Sequence, residues 1–143
     1  MPHPPAHVSE ENGVCAGVRQ GDESRRETGS RYEREAAARL SRMGYRILEE
    51  NFRCRQGEID LIAWAPEGVL CFVEVKSRTG TRFSAPREAV TAAKRRRLRN
   101  AASWYLAQRG LDDCPCRFDV AEVWPSTRNG WDKPNLNYII SAF

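Results

Sequence analysis

At 143 residues the chain has room for one domain with a genuine hydrophobic core, and is too short for two comfortable ones. A net charge of +4 and a pI near 9.0 favour an anionic partner, nucleic acid or an acidic membrane surface. No apolar run reaches membrane-spanning length, and the opening MPHPPAHVSEENGVCAG lacks the basic and apolar regions of a signal peptide, so a cytoplasmic location is expected.

Residues 1–28 are rich in Pro, Gly and polar groups without a period and read as a disordered leader, which leaves 29–143 as a single domain. From Ser30 the pattern turns helical, with Ala36, Ala37 and Leu40 as an apolar stripe and Gly44 as the stop. Glu33 shares that stripe. Two readings stand for it: the partner of Ser30 in a capping box at the helix start, or a site residue.

A strand is expected within Tyr45–Cys54, followed by a turn at Arg55–Gly57. Glu58–Ala65 and Val69–Lys76 form two further strands around a three-residue loop ending in Gly68, a length that suits a hairpin with glycine in the left-handed position. Thr91 looks like the N-cap of a long helix from Ala92 to about Gln108, closed by Gly110. Its stripe is Leu98, Ala101, Ala102 and Tyr105, with Lys94 one turn earlier on the same face and Arg95, Arg96, Arg97 and Arg99 fanned around the rest. Strands over Arg117–Trp124 and Asn137–Ile140 complete the order α-β-β-β-α-β-β, an α/β domain with a central mixed sheet flanked by helices.

The five cysteines have no framework spacing. Cys114 and Cys116 alone cannot supply four tetrahedral zinc ligands, so reduced structural thiols are the expectation.

Charge in the middle of the hairpin calls for a cause. With Ala65 opposite Val69, alternation puts Asp60 opposite Glu74 and Glu58 opposite Lys76, on a face shared with Ile62, Trp64, Leu70 and Phe72. Opposed carboxylates repel, and a face lined with apolar residues should not keep ionised groups unless they are paired or bind metal. Lys76 supplies one positive charge. A divalent cation would supply two more, and oxygen donors suit Mg²⁺ or Mn²⁺. The plainer reading is a solvated outer face carrying a salt bridge.

GEIDLIA followed by FVEVKSR, preceded by TGSRYEREAAARL and followed by AVTAAKRRRLRNAASWYL, resembles the YraN family of bacterial proteins; CRFDVAEV and the terminal SAF fit as well. The resemblance covers about Thr28 to Phe143. It implies a restriction-endonuclease-like fold similar to Holliday-junction resolvases, with Glu33 as the helix glutamate, Asp60 as the hairpin aspartate, Glu74 and Lys76 as the E-x-K pair, and Lys94 as the basic residue on the next helix. Tyr32 stands where many relatives have glycine, and FSAP lacks a glycine often found there.

The implied activity is metal-dependent hydrolysis of nucleic-acid phosphodiester bonds, on DNA ahead of RNA and on branched structures. Asp60, Glu74 and the Val75 carbonyl would hold Mg²⁺ or Mn²⁺, and Lys76 would orient water and offset charge. Arg78, Arg82, Lys94, Arg95, Arg96, Arg97 and Arg99, with Arg87, would bind the phosphate backbone, although any one arginine alone reads more simply as a solvated face. A homodimer is implied by analogy with the resolvases. Two rivals remain open: a catalytically silent nucleic-acid-binding protein of the same fold, and a protein-interaction domain whose basic helix meets an acidic partner.

Overall fold

In the computed structural model, which describes residues 20–77, 90–126 and 134–143, the elements follow one another as α1 (Gln20–Arg42), β1 (Arg46–Cys54), β2 (Gly57–Trp64), β3 (Leu70–Ser77), α2 (Ala92–Arg109), β4 (Cys116–Trp124) and β5 (Asn135–Ile139). This is the expected order. The strands lie side by side as β1-β2-β3-β4-β5 in one mixed sheet. Pairing is antiparallel from β1 to β3, parallel between β3 and β4, and antiparallel again to β5. The single parallel step is the one spanned by α2, because a parallel neighbour needs a crossover rather than a tight turn.

Period-two alternation sends β2 and β3 side chains to opposite faces, and each face has its own helix. On one side Ile62, Leu70, Phe72 and Val120 pack against Leu98, Ala101, Ala102 and Tyr105 of α2. On the other, Leu61, Ala63, Cys71, Val73 and Ala121 pack against Ala36, Ala37 and Leu40 of α1. Both helix stripes are those read from the sequence. Burying an aliphatic side chain of this size is worth roughly 1.5–3 kcal/mol, so these two layers dominate the stability of the fold.

The ends of α2 are also as expected. Thr91 is extended and its side-chain oxygen accepts from the Lys94 N–H at 3.2 Å, while Gly110 closes the helix at φ 65°. Gly44 and Gly68 take the left-handed conformation at φ 91° and 86°, ending α1 and turning the hairpin.

Helix α1 corrects one expectation. It begins at Gln20, so Ser30 lies inside it and cannot cap it, and no capping box forms with Glu33. An apolar stripe marks where a helix is buried, and the stretch before Ser30 has none; it is nevertheless rich in Glu and Arg, which favour helix without needing burial. The expected leader therefore ends in helical backbone from Gln20, and residues 1–19 lie outside the described residues. Strand β5 starts two residues earlier and stops one residue earlier than expected.

Candidate active site

The β2–β3 ladder pairs Leu61 with Val73, Ile62 with Phe72, Ala63 with Cys71 and Trp64 with Leu70, and the Ala65 N–H donates to the Val69 carbonyl at 2.8 Å. That is the predicted register. Regular pairing stops at Leu61 and Val73, one step short of Asp60 and Glu74. There the Val75 N–H, which the next rung would aim at the Ile59 carbonyl, donates instead to Asp60 Oδ2 at 2.8 Å. The Asp60 side chain replaces a backbone acceptor and wedges the ladder open.

The neighbouring strand shows why the break falls here. Between β1 and β2, Glu50 pairs with Leu61 and Phe52 with Ile59, while Asn51, opposite Asp60, has a positive φ of 54°. Alternation fails across this point: Ile59 joins the same core layer as Ile62 instead of the layer of Leu61. The expectation that Glu58 faces Lys76 is thereby overturned. Glu58 is exposed and pairs with Arg53 on β1 at 3.5 Å, and the register partner of Lys76 is Glu122 on β4.

The groups around this opening are strongly coupled. The Glu74 side chain is only 5% exposed, and its Oε1 meets two ammonium groups: Lys76 Nζ at 3.7 Å and, in a close ion pair, Lys94 Nζ from the first turn of α2. Burial, reinforced by the Glu74 charge, pushes the Asp60 carboxyl up to about 7, against the Val75 N–H bond that favours its anion. Burial also raises Glu33, against the nearby Asn51 side chain that favours its anion, and the charge of Glu74 adds to the rise. Lys76 is lowered by burial and by the neighbouring Lys94. Burial is the largest single influence on Lys94 and penalises its charge, but its hydrogen bond to Glu74 and the charge of Glu74, with smaller help from Lys76 and Asp60, together raise it. Glu33 from the α1 side and Lys94 from the α2 side therefore both act on Asp60.

Not every expected residue joins this group. Arg96, Arg97 and Arg99 are exposed on α2, whereas Arg95 is half-buried, with its guanidinium over the Phe143 ring at 5.7 Å. Arg78, Arg82 and Arg87 lie outside the described residues. Among the described residues, no three His, Cys, Asp or Glu side chains converge closely enough to hold a metal ion. The donors that do converge are two carboxylates and a backbone carbonyl: Val75 sends its N–H toward Asp60, and in strand geometry its C=O points the same way. An all-oxygen set with one or two carboxylates fits Mg²⁺ or Mn²⁺, which keep several water ligands. Cys54, Cys71, Cys114 and Cys116 are free thiols.

Two features escaped the sequence reading. Glu122, 3% exposed, follows Val120 on the α2 face beside Lys76; the alternation of FDVAEV already carried that signal. The second is a buried network on the α1 side. Asp119, fully buried, accepts from Arg117 Nε at 3.0 Å, from the Tyr138 hydroxyl at 2.5 Å and from the Ser141 N–H at 2.9 Å. Arg117 also donates to the Tyr45 hydroxyl at 2.7 Å and to Glu67 at 2.5 Å. Every partner of Asp119 is internal, so the network ties the C-terminus to β4 rather than presenting a reactive group. Burial and the Asp119 charge also push the nearby Cys71 thiol up to about 12, which leaves it protonated and inert.

The chain matches the sequence profile of the uncharacterised protein family UPF0102 over residues 32–123. It is 57% identical over 100 residues to a UPF0102 protein of Symbiobacterium thermophilum, covering 70% of this chain and 84% of that one. It is 40% identical over 121 residues to a UPF0102 protein of Caldicellulosiruptor saccharolyticus, covering 84% and 99%. A third, from Moorella thermoacetica, is 48% identical over 101 residues, covering 71% of this chain and 83% of the relative. The matched span reaches from the helix of Glu33 through Asp60, Glu74, Lys76 and Lys94 to Glu122 and Val123, and on this similarity the chain belongs to the UPF0102 family.

Proposed function

We propose that the protein is a metal-dependent nuclease hydrolysing phosphodiester bonds, with DNA as the first substrate to test and branched DNA before linear. The observation that carries this reading is the pair of carboxylates, half-buried Asp60 and buried Glu74, at the opened end of the β2–β3 ladder with two ammonium groups beside them.

Asp60, Glu74 and the Val75 carbonyl would hold Mg²⁺ or Mn²⁺. Such an ion supplies Lewis acidity at a phosphate oxygen and a bound water of lowered pKa. Lys76, its charged form disfavoured by burial and by Lys94, positions the attacking water and offsets charge developing on the phosphate. Glu33, held by Asn51, orients a water or a second ion. Arg96, Arg97 and Arg99 bind the backbone of a strand laid along α2 and read no base. The need for a metal follows from size: general acid–base catalysis contributes about 10²–10⁴-fold, well short of the ~8–23 kcal/mol typical of enzymatic acceleration. Free thiols suit a reducing compartment, and we place the protein in the cytoplasm.

A second reading, a nucleic-acid-binding protein without turnover, is favoured by one specific observation: Lys94 already neutralises Glu74, and no three-donor metal group is present among the described residues. Branched, nicked and linear DNA and structured RNA, each incubated with Mg²⁺, Mn²⁺ or EDTA, separate the two. The nuclease reading expects metal-dependent nicking that Asp60→Asn abolishes while binding in EDTA persists. Tight binding with no cleavage of any substrate in either metal would leave only the silent module. Replacing Arg96, Arg97 and Arg99 together by alanine should flatten the salt dependence of duplex binding by about 0.9 per lost phosphate contact.

A further inference from the structure

The chain contains twenty arginines and only three lysines, Lys76, Lys94 and Lys133. Two of the three converge on one oxygen, Glu74 Oε1, whereas Glu35, Glu49, Glu58, Glu67 and Asp119 are paired with arginine. The choice has chemical meaning. A guanidinium forks onto both oxygens of a carboxylate and locks it; an ammonium is a compact point charge on a flexible stem, held at one oxygen and easily exchanged for another small cation.

Lys94 is also well placed to leave. Its backbone is anchored in the first turn of α2 by the Thr91 cap, but its side chain is 38% exposed, against 28% for Lys76 and 5% for Glu74. A divalent ion on Glu74 Oε1 would put three cations at a single oxygen. Coulomb repulsion then ejects the most exposed of them. The ejected ammonium remains tethered a few ångströms away, at the mouth of the site on the helix that carries Arg96, Arg97 and Arg99.

We infer that Lys94 is a tethered counter-ion that occupies Glu74 in the metal-free protein and is displaced by the divalent cation, becoming free to pair with a phosphate of the substrate. This rests on the reading of Asp60 and Glu74 as metal ligands. In this scheme Lys94 is a positioning residue: its ion pair holds the Glu74 carboxylate aimed before the ion arrives.

The test uses the full chain without nucleic acid. Calorimetric titration with Mn²⁺ should give about tenfold tighter binding for Lys94→Met than for wild type, a factor that corresponds to one lost competing ion pair. Lys94→Arg should bind no tighter than wild type. In parallel, the lysines are reductively ¹³C-methylated, which keeps their charge, and the three resonances are assigned from single Lys→Arg variants. Titration with Mg²⁺ should move the Lys94 resonance in wild type and leave it in place in Asp60→Asn. Equal or weaker Mn²⁺ binding by a folded Lys94→Met would overturn the inference. So would an unmoved Lys94 resonance while Mg²⁺ binding gives heat, a result that does not depend on how well Lys94→Met folds. If neither ion binds to wild type or to Lys94→Met, the metal-site reading itself is wrong and the inference goes with it.

Discussion

Replacing Asp60 by asparagine should stabilise the metal-free protein at neutral and alkaline pH. Asparagine is isosteric and its side-chain oxygen can still accept the Val75 N–H at 2.8 Å, so the wedge in the β2–β3 ladder is kept while the buried charge is removed. The sign follows from linkage. The carboxyl lies at its ordinary 3.8 in the unfolded chain and at about 7 in the folded one. Its protonated form therefore contributes full stability below pH 3.8, and that contribution is lost as the pH rises through about 7. At 1.36 kcal/mol per pH unit the whole displacement amounts to ~4 kcal/mol. Because Asp60 shares its field with Glu74 and Lys94, we expect on the order of 2–3 kcal/mol, or roughly 6–10 °C in Tm for a chain of this length. Thermal melts in EDTA should show the variant gaining on wild type between pH 5 and 7.5, with the gap level above that. If Asp60 holds the ion as proposed, millimolar Mg²⁺ should narrow the gap by stabilising wild type alone. A gap that stays flat from pH 5 to 8, or a variant less stable throughout, would refute the picture of Asp60 as a carboxyl held against its own ionisation.

Other perturbations probe the frame around the site. Arg117→Met leaves the fully buried Asp119 without its guanidinium and should cost about 3–5 kcal/mol, read as a large fall in the denaturant midpoint. Thr91→Ala removes the cap over Lys94 and should cost ~1 kcal/mol by chemical denaturation, with a larger proportional loss of any cleavage activity than of stability. At Gly57 an added Cβ would lie 3.2 Å from the Arg97 carbonyl of α2, so Gly57→Ala should push the β1–β2 turn off that helix. A cost of ~1–3 kcal/mol is expected, together with faster amide exchange at the start of α2.

Much of this was legible in the chain. The stripe Leu98, Ala101, Ala102 and Tyr105 fixed the buried face of α2, and its ends were marked by Thr91 and Gly110, because helix periodicity and capping are local properties. The three-residue turn with Gly68 set the hairpin register, which runs as far as Leu61 and Val73, one step from Asp60 and Glu74. The start of α1 was missed because a polar helix gives no hydrophobic signal, and that cost the capping reading of Glu33.

Local pattern alone settled which residues share a face from Leu61 to Val73, where alternation and a turn of fixed length leave little choice; beyond Asp60, where alternation fails, it did not. How those residues act on one another depends on packing between distant segments. The ladder opens at Asp60 because Asn51, from a strand paired on the far side, adopts a positive φ opposite it. Lys94 meets Glu74 because α2 packs back over the β2–β3 hairpin, and Asp119, two residues from Arg117 on its own strand, finds Tyr138 and Ser141 only when the C-terminal segment docks on β4. Burial and partner distance govern charge energetics, and both depend on contacts between residues far apart in the chain.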